Sequence, residues 1–116
     1  MESILTSIKK QLGIGEDYDH FDADLIMHIN TVFMILNQLG VGPTECFSIE
    51  DDSTTWDEFV TGASYNAVKT YMALKVRLIF DPPSGSAHME SINRQISELE
   101  WRLNITAGEE EIQNGE

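Results

Sequence analysis

Five carboxylates crowd into the stretch GEDYDHFDAD, where Glu16, Asp17, Asp19, Asp22 and Asp24 fall within ten residues. A calcium loop is the sharp chemistry for such a run. It needs a glycine at its sixth position and a closing glutamate at its twelfth. Counted from Asp17, those places hold Asp22 and His28, so the pattern fails. The carboxylates suit a helix N-terminus better, with Asp19 as the cap and the others facing the positive end of the macrodipole.

The other reactive residue types are scattered. His20, His28 and His88 stand outside any metal-ligand spacing such as H-x-x-x-H. His28 falls on the polar side of its helix and is read as a solvated or interface histidine. Cys46 is the single cysteine; it has no neighbouring base and is read as a small core residue. No G-x-S-x-G, phosphate-binding loop or dinucleotide fingerprint occurs. Asp51 with Asp52, and Asp57 with Glu58, say little in a chain with 20 acidic residues. The chain is therefore read as a non-enzyme, with no cofactor and no metal.

One charge stands out for its position. In LKVRLIFDPP, residues 74–83, Arg77 lies near a helix C-terminus, where the macrodipole favours a cation. Lys75 instead falls among apolar residues, one turn from Tyr71 and Ile79. Left unpaired there it costs several kcal/mol, roughly. It can snorkel along the surface, pair with a carboxylate of its own subunit, or meet a carboxylate of a neighbour.

The elements that must position these residues are helical. At 116 residues and 41% hydrophobic content, one globular domain is expected. No apolar run reaches the roughly 18 residues of a membrane span, and the N-terminus lacks a signal-peptide pattern. Seven Lys and Arg against 20 Asp and Glu leave a net charge of −13, which disfavours a broad phosphate-binding surface. The expected fold is all-α, a small bundle of four to five helices. It has a C-terminal antiparallel hairpin and an irregular loop around residues 41–54.

Ile4, Leu5, Ile8 and Leu12 mark a short first helix, ended by Gly13 and Gly15. The second runs from about Phe21 to Leu39, with Phe21, Leu25, Ile29, Val32, Leu36 and Leu39 as its core stripe. Met27, Met34 and Ile35 lie off that stripe. ECFSI is a candidate short strand, and Thr55 with Glu58 make a capping box opening a short helix, WDEFV. A longer helix from about Ser64 to Phe80 has Val68, Tyr71, Met72, Leu78 and Ile79 on its apolar side, and Pro82 and Pro83 stop it. The last, from about Ala87 to Asn104, buries Met89, Ile92, Ile96, Leu99 and Leu103 and turns Trp101 outward, near Glu90, Arg94 and Glu98. Residues 1–104 form the expected domain, and 105–116 an acidic tail that is mobile when the protein is alone.

Three stretches taken together resemble a known family: DADLIMHINTVFMILNQLGVGP, VKTYMALKVRLIFDPPSGSA and ISELEWRLN. They are similar to the small α-helical head–tail connector, or adaptor, proteins of long-tailed bacteriophages and their prophages. The resemblance implies a structural virion protein without enzymatic activity, forming a ring homo-oligomer, dodecameric in the virion, beneath the portal protein. Such a ring extends the DNA channel and carries the stopper, head-completion or tail protein; DNA passes without specific binding. It implies a place at the capsid vertex or neck, assembly in the host cytoplasm, and no membrane. Subunit or portal contacts are expected at Met27, Met34, Lys75, Arg77, Arg94 and Trp101. Tail contacts with the portal are expected at Ile105 and Ile112, and a lumen or acidic surface at Glu50, Asp51 and Asp52. The alternative is an acidic DNA mimic, or a regulatory protein-interaction module.

Overall fold

Ser3 starts the first helix, α1 (Ile4–Gln11), by accepting the Thr6 backbone N–H on its Oγ at 3.2 Å. The structure is a computed structural model that describes residues 2–114, with side chains for residues 2–108 apart from Ala63. Ile4, Leu5 and Ile8 are buried. Gly13, at φ 77°, takes the chain out of the helix through the left-handed region that glycine tolerates.

The second helix, α2, spans Asp22–Gln38, and Leu25, Ile29, Val32, Phe33 and Leu36 are fully buried along it. Asp19 does not cap it. Phe21 holds that position without a side-chain bond, and Asp19 offers only its carbonyl, to the Asp22 N–H at 3.1 Å. The helix starts too late for the Asp19 carboxylate, while Asp22 in its first turn is drawn to Lys9.

The third helix, α3 (Tyr65–Phe80), buries Val68, Tyr71, Met72 and Val76. Ile79, expected on the apolar side, is exposed, because its turn lies at the hairpin end. The fourth, α4, runs Ser86–Asn114, past the end expected at Asn104. Residues 105–114 are polar, but Ala, Glu, Ile and Gln are adequate helix formers, and Gly108 alone costs about 1 kcal/mol. Ala107 also packs against the core.

Three contacts set the helix directions. Phe21 meets Phe80 edge-on at 5.1 Å, so the start of α2 lies beside the end of α3. The Tyr71 hydroxyl reaches Glu100 at 2.6 Å, as an antiparallel α3–α4 hairpin requires. Asn104 donates its side-chain N–H to the Leu39 carbonyl at 3.2 Å, joining the C-terminal part of α4 to the end of α2. Helices α2 and α4 thus run parallel to each other and antiparallel to α3. Helix α3 packs against both, and α1 lies against α2 and α3. The result is a slab with extents of 47 × 35 × 19 Å, roughly two helix diameters thick.

The connection from α2 to α3 contains no strand among the described residues. ECFSI is irregular, and the one ladder contact is an isolated antiparallel bridge between Ser3 and Thr55. The segment is held by side chains instead. Asn30 on α2 accepts the Ile49 N–H at 2.8 Å and donates to its carbonyl at 3.0 Å, taking the place of a strand partner. Asn37 donates to the carbonyls of Pro43 and Thr44. Phe33, Phe47 and Phe59 form an aromatic cluster with centroids 4.6–5.2 Å apart. Gly42, at φ 86°, lies so close that a Cβ there would sit 2.5 Å from the Phe59 ring.

Thr55 and Glu58 form the expected capping box, with Glu58 accepting the Thr55 N–H at 2.8 Å. The helix it opens is only a 3-10 turn, Trp56–Glu58, followed by another at Gly62–Ser64. Trp56 is fully buried, and its indole N–H donates to Ser7 Oγ at 2.8 Å. Full burial of so large a side chain stabilises by about 2–3 kcal/mol once its N–H is satisfied.

Candidate functional site

Among the described residues, no three His, Cys, Asp or Glu side chains converge into a metal-sized group. A cavity of about 40 Å³ where Gly40, Val41, Val60, Ser64 and Leu103 meet has room for water only. Small-molecule pockets run to roughly 300–1,000 Å³. Cys46, expected in the core, is exposed, because the irregular segment turns it outward. No helix among the described residues is long and apolar enough to cross a membrane. What the structure offers is surface, arranged by charge and by helix face.

Most of the cations are engaged within the chain. Lys9, which the sequence did not single out, is buried; its ammonium lies 2.9 Å from Asp22 and donates to the Glu16 carbonyl at 3.0 Å. Lys69 sits 2.5 Å from Glu2, with Lys10 3.6 Å from the same carboxylate. The Lys69 hydrogen bond holds the Glu2 carboxyl below its usual range and raises the Lys69 ammonium.

Lys75 finds its partner inside its own subunit. Its Nζ lies 3.8 Å from Glu100 Oε2, the oxygen that also accepts the Tyr71 hydroxyl. Burial, and then the bond to Glu100, push the Tyr71 phenol above its ordinary value. Of the three ways to accommodate Lys75, the intrasubunit carboxylate is realised. Among the described residues, Arg77 and Arg94 form no ion pair.

The residues expected at contacts separate into distinct surfaces. Met27 and Met34 are 58% and 48% exposed on the outer face of α2. Trp101 is 63% exposed on the outer face of α4, which also carries Arg94 and Ile105. Helix α3 packs against both α2 and α4, and the two surfaces come nearest at their C-terminal ends, where Asn104 bonds to the Leu39 carbonyl. Lys75 and Arg77 belong to neither; they are half-buried on the central helix. Ile112 lies outside the residues whose side chains are described. Glu50, Asp51 and Asp52 are exposed together in the α2–α3 connection. There Ser53 donates its hydroxyl and its N–H to Asp51, holding that carboxyl below its usual range.

Neither a curated protein nor a solved structure matches the chain. A protein family does, and the match takes in all of α1, α2 and α3 and most of α4. Over residues 4–110 the sequence fits the family described as phage connector protein, and the chain belongs to that family.

Proposed function

We propose that this chain is a structural subunit of the phage neck, a head–tail connector that forms a ring below the portal protein. In this reading the ring prolongs the DNA channel and joins the capsid to the stopper or tail proteins. The observation that carries the reading is the family match over nearly the whole chain. The surface supports it. A ring subunit needs two lateral surfaces, and the exposed methionines of α2 and Trp101 of α4 supply apolar groups on two different helices.

The charge fits the same task. A net charge of −13 repels phosphate, so DNA passes such a channel without sticking. Glu50, Asp51 and Asp52 are assigned to the lumen or to the acidic rim. The C-terminal segment from Ile105, with Ile112, is assigned to portal contact. Lys75 already has Glu100, so its charge is assigned to the subunit interior, while Arg77 is available to a partner. The protein is placed in the virion neck, after assembly in the host cytoplasm. Negative-stain images of the purified protein mixed with its cognate portal test the proposal. Rings stacked on portal rings are expected; a protein that neither binds the portal nor forms rings overturns it.

A further inference from the structure

The outer faces of α2 and α4 differ in chemistry in a way that lets one receive the other. Along α2, Ala23, Met27, Thr31, Met34 and Gln38 recur at three- and four-residue steps and are all exposed, so they share one side. In so acidic a protein this strip is uncharged, with Asp24 beside its N-terminal end. Along α4, Arg94, Trp101 and Ile105 are exposed at steps of seven and four residues. Arg94 has no ion pair among the described residues, while Glu98, beside Trp101, is occupied by its own Arg102 at 2.8 Å.

The geometry points to a heterologous contact between copies of this chain. The α4 face of one copy seats Trp101 between Met27 and Met34 of the next, and Arg94 meets Asp24. This rests on the ring-forming reading above and names its lateral contact. Spacing supports it. Arg94 to Trp101 is seven residues, as is Asp24 to Thr31, which stands between the two methionines. Both spans are about 10 Å along a helix, so the cation and the indole find their partners together when the helices run parallel. Direction supports it as well, because α2 and α4 are parallel within one subunit. Rotating copies about an axis along the helices preserves that relation across the contact. The two surfaces belong to different helices and differ in chemistry, as a head-to-tail contact requires.

The chemistry favours a second copy as the occupant. Methionine thioethers pack well against aromatic edges, and tryptophan and arginine are the residues that most often dominate an interface.

The test uses the full chain with Cys46→Ser as background. A Thr31→Cys variant is mixed at high concentration with a Ser97→Cys variant, whose exposed cysteine lies one helical turn from an intact Trp101, and treated with a short bismaleimide. Cross-linked heterodimer in the mixture, with little product from either variant alone, is expected. No heterodimer, or equal product from each variant alone, overturns the contact. Trp101→Glu is expected to weaken self-association about tenfold or more with an unchanged thermal unfolding curve. Asp24→Arg combined with Arg94→Asp is expected to restore what either change alone removes. Self-assembly that survives Trp101→Glu overturns this contact alone, whereas a wild-type chain that neither binds its portal nor forms rings overturns the connector reading.

Discussion

Lys9→Met and Asp22→Ala break the same ion pair, yet they are expected to differ several-fold in effect. The Lys9 side chain is 4% exposed and Asp22 is 31% exposed. In Lys9→Met the apolar stem is kept and no ammonium has to be desolvated. Asp22 Oδ1 is buried beside Lys9, but the side chain is partly exposed, so once released it can turn toward water while still facing the positive end of α2. The net loss is about 1 kcal/mol, mainly the bonds to Asp22 and to the Glu16 carbonyl. In Asp22→Ala the ammonium stays buried with only the Glu16 carbonyl at 3.0 Å to answer it. That loss is about 3 kcal/mol, with about 0.5 kcal/mol more from the missing helix N-terminal charge. The double variant should cost little more than Lys9→Met, giving a coupling of about 3 kcal/mol. Urea unfolding followed by circular dichroism measures all four corners of the cycle. If Asp22→Ala proves no more destabilising than Lys9→Met, Lys9 escapes to water when unpaired, and the trapped-charge argument fails.

Asn30→Ala removes both bonds to Ile49 and should cost about 2–3 kcal/mol; limited proteolysis should then cut faster within residues 41–54, and an unchanged cleavage rate would contradict the clamp. Gly42→Ala places a methyl against the Phe59 ring in a left-handed backbone conformation and should cost about 2 kcal/mol or more by denaturant midpoint. Tyr71→Phe should cost about 1–2 kcal/mol and remove an absorbance component that titrates above the ordinary tyrosine range. Because folding holds that phenol's proton, wild-type stability should fall as pH rises past about 10, and the variant should show a flatter slope. The Glu2 carboxyl is held low by Lys69, so its contribution is complete above its ordinary value of 4.5 and is lost as pH falls through its lower folded value. Stability–pH curves of Glu2→Gln should be shallower over that acidic range.

Helical periodicity made the packed faces legible. The stripe from Leu25 to Leu36 and the seam through Ile92, Ile96 and Leu103 are buried as their spacing implied. The outward turn of Met27, Met34 and Trp101 followed from the same arithmetic. The connection between α2 and α3 was not legible, because its order comes from Asn30 and Asn37 bonding to main chain far away in sequence. No local pattern marks an asparagine as a clamp. Lys9 was missed for a related reason: a lysine in a last helical turn looks ordinary until the following loop folds back over it. The partner of Lys75 was one of many carboxylates, and only the antiparallel hairpin selects Glu100. The end of α4 was misjudged because polarity resembles a tail, although helix propensity in residues 105–114 is adequate.

The N-terminal seam has a bearing on how the chain reaches its native state. The Ile4 N–H is bonded to the Thr54 carbonyl, the Trp56 N–H to the Glu2 carbonyl, and Lys69 to the Glu2 side chain. Residues 2 and 4 therefore obtain these partners only from positions 50 to 67 residues further along the chain. Until then Ile4 and Ile8, both fully buried at the end, have no core to enter. Closing a loop of that length costs entropy before any contact rewards it. The seam is thus expected to form late, after the α3–α4 hairpin, whose contacts are closer in sequence. It acts as a latch on an assembled body rather than as the nucleus around which that body forms.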